Sequence, residues 1–250
     1  MVAVLLISAW LSVANATSAP LTVHFHERPP YYRSITGSPP TGLVADPVVK
    51  SFSRLPLAVR YQQTPAKRQL QILRDNQSRD CAIGWFKNAE RETWLQYSDP
   101  IYQDQPLVVV ARRDDQRLAA PLTLKQLFSQ PLVWLKKSGY SYGAAIDQES
   151  RRSTISVDER SIDSLSSLHL LIRGRADFVL MAPEEFSQLS AQHSLLREPL
   201  QSRTLAESLP GEQRYLICSR QVEPELLQQF NAELKTLASH PPQVESTTAP

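Results

Sequence analysis

The feature that most constrains this chain is an alternation that runs along nearly its whole length, a short apolar run followed by a segment of helical period and then another apolar run. Leu21, Val23 and Phe25 alternate in "LTVHFH" as in a half-buried strand. Asp46-Pro47 then reads as a helix cap with proline at the first position, and Val48, Phe52 and Leu55 follow at helical spacing. "LAVRY" is a second strand. Thr64-Pro65 repeats the cap-plus-proline start ahead of Ala66, Leu70 and Leu73, and "CAIGWF" is a third strand. Strands separated by helices pair in parallel with the helices on the sheet faces, so the pattern predicts an α/β architecture.

The second half repeats the theme. Strand "PLVWL" precedes the loop 138–142 and a helix; strand "TISV" precedes a helix carrying Leu165, Leu168 and Ile172, which Gly174 ends; strand "DFVLMA" follows. "SRDCAIGW" and "GRADFVLM" echo one another: a helix ends in a basic residue, Asp80 or Asp177 follows, and an apolar strand begins. The echo predicts two lobes of similar build. Between them "SDPIYQDQPLVVVARRDD" runs through prolines into the β-prone Leu107 to Val110 and reads as a crossover. At the end a strand, "YLICS", precedes a helix with Leu227, Phe230, Leu234 and Leu237 on one face, and the tail 241–250 reads as disordered.

A chain of 250 residues, 42% hydrophobic, is long enough to bury a sizeable core. Its formal charge of +2 is spread without long runs of one sign, so nothing points to nucleic acid. The first 26 residues carry no Asp, Glu, Lys or Arg, and the apolar run Val2 to Val13 leads into Ala14-Asn15-Ala16, the small-x-small pattern of a secretory cleavage site. Residues 1–19 are therefore expected to be a signal peptide cut near Ala16 or Ala19, with a periplasmic protein free of stable membrane insertion beyond it. In an oxidising compartment Cys81 and Cys218, each within a short apolar run, are either bridged or two buried thiols; spacing does not choose.

"ERPPYY…TGLVADPVV", "CAIGWFKNAERETWLQYSDPIYQDQPLVVVARR", "SGYSYG" and "YLICSRQVEPELLQQFNAEL", in this order, resemble family 3 of the bacterial extracellular solute-binding proteins, the amino-acid receptors of ABC importers. The resemblance implies a type II periplasmic-binding-protein fold: lobe 1 from residues 20–106 and 206–240, lobe 2 from 107–205, two hinge crossovers, and a small polar ligand in the cleft between the lobes. It implies no cofactor, and as partners a small-molecule ligand with an ABC permease or a membrane sensor. Arg91 matches the position that grips an α-carboxylate, a task that suits the bidentate guanidinium fork. Tyr31, Tyr32 and Trp85 would wall the ligand; Glu27 would meet a cationic group and Lys87 a second anion; Ser138, Ser141 and Tyr142 would contact it from the other lobe. Two departures bear on the ligand: small hydroxyl residues of the first lobe are replaced by Trp85 and Lys87, and the acidic residue that would hold an α-ammonium falls on Ala182, with Glu184 and Glu185 slightly beyond.

Gly139-Tyr140-Ser141-Tyr142-Gly143 also matches the G-x-S-x-G nucleophile elbow of α/β-hydrolases. A serine hydrolase with Ser141 as nucleophile is the alternative reading, with His193 or His240 as base, although no His-Gly-Gly-type oxyanion segment accompanies it. A dehydratase-like enzyme on the same binding fold, using Glu27 or Glu184, is a further alternative. The binding reading needs only a helix start with hydroxyl donors, which attracts an anion. His24 and His26 share one face of the first strand, but no third metal ligand is identifiable, and no metal site is expected.

Overall fold

A computed structural model of the chain describes residues 19–207 and 209–239. Residues 1–18 of the expected leader, Ser208, His240 and the tail 241–250 lie outside them.

In chain order the elements are β1 (Leu21–Phe25), β2 (Arg33–Ile35), β3 (Ser38–Thr41), α1 (Ala45–Ser53), β4 (Val59–Gln63), α2 (Ala66–Asp75), β5 (Asp80–Phe86), α3 (Ala89–Glu92) and β6 (Gln96–Gln103). They continue with β7 (Val108–Arg112), α4 (Leu124–Ser129), β8 (Val133–Lys137), α5 (Ala144–Arg152), β9 (Ser156–Arg160), α6 (Ser164–Ile172), β10 (Phe178–Met181), α7 (Pro183–Gln192), β11 (Leu200–Thr204), β12 (Gln213–Cys218) and α8 (Pro224–Ser239). Two mixed sheets organise the chain, β4-β1-β5-β12-β6 and β11-β7-β10-β8-β9.

The echo between "SRDCAIGW" and "GRADFVLM" has a structural meaning. β5 and β10 are the central strands of their sheets, and both are buried along their whole length. Each is the third strand of a parallel set in the order second, first, third: β4-β1-β5 in one sheet and β9-β8-β10 in the other. Each is flanked on its other side by an antiparallel strand, β12 or β7. The fold is the two-lobed α/β architecture that the alternation predicts.

Local chemistry explains most boundaries. A capping box between Thr123 and Gln126 opens α4, Asp163 caps α6 through the Ser166 amide, and Gly174 at φ +63° receives the end of α6. On α8 the buried face is Leu226, Leu227, Phe230 and Leu234, with the Phe230 ring 4.8 Å from that of Phe52 on α1. Both expected cap-plus-proline starts are corrected. α1 begins at Ala45, ahead of Asp46, whose carboxylate instead accepts from the Gly42 amide; Pro47 is tolerated because first-turn amides have no intrahelical acceptor. Thr64 does not cap α2: its hydroxyl pairs with the His24 ring and its carbonyl accepts from Gln69. A buried side chain with a tertiary partner overrides the local capping preference.

The chain leaves the first sheet after β6 and re-enters it at β12, crossing through 104–107 and 205–212. The two crossings lie side by side. The Asp104 amide donates to the Glu212 carbonyl at 3.0 Å, and a Cβ at Gly211 would sit 1.7 Å from the Asp104 carbonyl oxygen, so only glycine fits there.

Cys81 on β5 and Cys218 on β12 are cross-strand partners and are joined by a disulfide that closes 137 residues of sequence. Loop closure of that length is worth about 5 kcal/mol in the chain-entropy account. Cys81→Ser with Cys218→Ser is accordingly expected to lower the unfolding free energy by about 3 to 5 kcal/mol in urea titrations. Identical midpoints for variant and oxidised wild type would show that the bond contributes nothing.

Candidate functional site

The carboxyl ends of the parallel strands in both lobes point at one another, where open α/β sheets hold ligands. β1 delivers His26, Arg28 and Tyr32; β5 delivers Trp85, Phe86 and, through the following turn, Arg91; the loop after β8 delivers Tyr140, Ser141 and Tyr142; β10 delivers Leu180 and Met181. Asp104 and Leu107 from a crossing and Arg214 from β12 complete the lining of a cavity of about 30 Å3.

Three arginines face this cavity. Arg91 is buried against the Trp85 ring at 4.9 Å; it donates to the Phe86 carbonyl at 3.1 Å and, across the cleft, to the Gly139 carbonyl at 2.7 Å. Burial pulls its pKa below the ordinary arginine value. Arg214 forms a bidentate pair with Asp104, 2.6 Å at each nitrogen, and its remaining donor group reaches the Gly84 carbonyl and the Tyr32 hydroxyl. That carbonyl is free because the ladder skips Gly84: Trp85 pairs with Tyr215 and Ile83 with Leu216. Gly84 has φ +79°, and a Cβ there would lie 2.2 Å from the Tyr32 hydroxyl oxygen, so a side chain would destroy this corner.

Arg28 joins the lobes. Its guanidinium grips Glu185 of α7 bidentately at 2.9 and 2.7 Å and lies 5.0 Å from the Tyr31 ring centre and 5.3 Å from that of Tyr140. Ser164 donates to the same Glu185 oxygen that accepts from Arg28 Nε, Lys137 donates to Ser164, and Lys137 Nζ lies 3.8 Å from Glu185. Burial alone would raise the Glu185 carboxyl, but the charges of Arg28 and Lys137 with hydrogen bonds from Arg28 and Ser164 outweigh it and hold it well below the usual carboxylate range. Burial also pushes the Lys137 ammonium down to about 8. His26, whose Nε2 shares a hydrogen with the Tyr140 hydroxyl at 2.6 Å, is kept neutral at pH 7 by burial and by the charges of Arg28, Lys137 and Arg214.

Of the residues singled out in the sequence, Arg91, Tyr32, Trp85, Ser141 and Tyr142 line the cavity together. Tyr31 is buried beside it, with its hydroxyl donating to Glu184 at 3.2 Å. The other three are elsewhere. Glu27 accepts from the Ser34 amide and lines a groove beside the cavity, while its neighbour Arg28 lines the cavity itself. Lys87 is half exposed over the rings of Tyr97 and Tyr215. Ser138 lines that same groove with Glu27, Arg160 and Asp163, and the groove shares His26 and Tyr140 with the cavity. Sequence reasoning passed over Arg28, Asp104, Tyr140, Leu180 and Arg214 as lining residues, and weighed His26 only as a metal ligand. A signal existed for two of them: Arg28 and Arg214 put a charge at the end or start of a buried strand, where it needs a partner.

Ser141 is not arranged as a nucleophile. Its hydroxyl donates to the Asp147 carboxylate on α5 and accepts from the Gly143 amide, and none of its hydrogen-bond partners among the described residues is a histidine. His193, the proposed base, closes α7. His24 is likewise committed, its two ring nitrogens bonded to Thr64 and Asp80. Among the described residues there is no group of three or more His, Cys, Asp or Glu that could hold a metal ion, and no helix is long and apolar enough to cross a membrane.

Two α/β lobes, two adjacent crossings and a charged, aromatic-walled cleft define a protein that clasps a small molecule between its lobes. The chain belongs to the bacterial extracellular solute-binding proteins, family 3, whose model matches residues 21–241. Its fold is similar to that of an ancestral arginine-binding protein bound to arginine, at 17% identity with a TM-score of 0.71, covering 90% of this chain and 94% of that one. It is also similar to holo ArgBP from T. maritima, at 21% identity and a TM-score of 0.68, covering 88% and 90%. A third neighbour, from work on glutathione import through GshT and the cystine ABC importer TcyBC of Streptococcus mutans, gives 16% identity and a TM-score of 0.70, covering 89% and 90%. No curated protein matches the sequence.

Glu185→Ala should cost about 3 to 5 kcal/mol at pH 7, because it leaves Arg28 buried without its counter-charge. Glu185 also sets an acid limb. Its folded pKa lies below its unfolded value, so its contribution is complete above the ordinary carboxylate range and is lost as the pH falls from about 5. Urea titrations from pH 7 down to pH 3 should show a shallower loss in Glu185→Gln than in wild type.

Proposed function

We propose that the protein is an extracytoplasmic receptor that captures a small carboxylate-bearing solute, an amino acid or a related compound, in the cleft between its lobes. In this reading residues 20–106 with 206–240 form one lobe and 107–205 the other, and the leader is removed near Ala16 or Ala19. The observation that carries it is Arg91: a guanidinium held at the cleft wall by one lobe and already touching the opposite lobe at the Gly139 carbonyl. A carboxylate placed there gains charge-assisted hydrogen bonds from Arg91 and lies beside the loop that opens α5. Because the ligand then contacts both lobes, it favours the closed arrangement over the open one and shifts the population between them.

Membership of the family, with structural neighbours from a cystine ABC importer and an amino acid ABC transporter, supports delivery to an ABC permease; a membrane sensor is the alternative partner. No catalytic step is part of the proposal. The hydroxyl of Ser141, bonded to Asp147, orders the loop and does not act as a nucleophile.

Thermal unfolding tests the reading. A ligand at 100 times its Kd adds about 2.7 kcal/mol, a rise of roughly 5 to 10 °C for a chain of this size. Arg91→Ala should weaken binding at least about 10-fold through the lost charged hydrogen bonds, and a ligand bound equally well by both proteins would refute the role of Arg91. A fluorophosphonate probe should leave Ser141 unlabelled; an adduct there would revive the hydrolase.

A further inference from the structure

The cleft is unbalanced in a way that selects among carboxylates. Its lining carries three guanidinium groups, Arg28, Arg91 and Arg214, against one carboxylate, Asp104. Just behind it the pair of Lys137 and Glu185 adds no net charge. Asp104 and Glu185 are each already committed to a cation of the protein itself, whereas Glu184, outside the lining, accepts from Tyr31 and Tyr102 on one oxygen and has no hydrogen-bond partner among the described residues on the other. Both oxygens of Asp104 accept from Arg214, and both oxygens of Glu185 accept from Arg28, with Ser164 on one of them. Several neutral acceptors at the wall already have a donor: the Gly84 carbonyl from Tyr32 and Arg214, the Phe86 and Gly139 carbonyls from Arg91, and the Ser141 hydroxyl from the Gly143 amide. An ammonium entering this space would lose its hydration and find, among the residues that line it, no carboxylate without a cation of the protein already on it. A carboxylate would meet an excess of positive charge.

We infer that the cleft selects small organic carboxylates that lack an α-ammonium group, such as 2-oxo and 2-hydroxy acids, and that the Arg28–Glu185 pair is the determinant that excludes the amino acid. The inference rests on the receptor reading above and narrows its ligand class.

The test is calorimetric titration of the purified protein with matched pairs that differ only at the α-carbon: glycine and glycolate, alanine and pyruvate, glutamate and 2-oxoglutarate, arginine and its 2-oxo analogue. The expected result is that, in at least one pair, the acid without the amine binds 10-fold tighter or more. An amino acid that binds as well as or better than its partner overturns the inference and leaves the receptor reading standing. Failure of every member to bind overturns both. Arg28→Gln releases the two Glu185 oxygens and should move the preference at least 10-fold toward the amino acid. Should that variant not fold, Arg28→Lys keeps the charge but gives up the two-pronged grip, and the preference should move the same way. An unchanged ratio in either folded variant removes Arg28 and Glu185 as the determinant.

Discussion

The structure turns on the burial of charge between two lobes. An ion taken from water into a protein interior is tolerated only with a partner and with its remaining hydrogen bonds met. Arg28 and Glu185 meet that condition together, and because they stand beside different sheets their pair ties the two sheets to one another. Its surroundings follow from it. Ser164 and Lys137 complete the carboxylate's shell, and the aromatic faces of Tyr31 and Tyr140 cover the guanidinium. His26, pressed by the neighbouring cations, remains neutral and joins the network as a hydrogen-bonding ring.

The same rule shapes the crossing segments. Arg214 enters from β12 and Asp104 from the first crossing, and their bidentate pair ties the two together beside the cleft. Gly84 and Gly211 serve this arrangement by having no side chain: one leaves room for Tyr32 and offers its carbonyl to Arg214, and the other lets the crossings touch. By contrast, Arg91 reaches the other lobe through a neutral carbonyl alone. A neutral acceptor yields more readily to an anion than a carboxylate partner does, which makes Arg91 the guanidinium best able to exchange its contact for a ligand.

Much of the scaffold was legible from local pattern. A strand that will be central reads as an unbroken apolar run, as "CAIGWF" and "DFVLM" do, and the similarity of the segments leading into them reported a true equivalence between the sheets. What local pattern could not reach was the choice between neighbours. Glu27 looked like the group at the end of β1 that faces the cleft, yet it is Arg28 that lines the cavity, while Glu27 bonds to the Ser34 amide in the adjoining groove. The G-x-S-x-G loop has the same local form whether its serine attacks or merely orders the loop, and the approach of Asp147 from α5 to its hydroxyl lay beyond that local form. Asp46 and Thr64 carried capping chemistry that tertiary partners claimed for other uses.

The sequence by itself determined the class of fold, the repetition between the two halves, the family and the place of Arg91, because strand and helix periods and a short motif are properties of adjacent residues. Tertiary structure alone decided which charges share the cleft. Arg28 with Glu185 are 157 positions apart, Arg214 with Asp104 are 110 apart, and Cys81 with Cys218 are 137 apart. Whether a charge in such a chain is solvated or buried beside its opposite depends on which distant segment arrives next to it, and no local period records that.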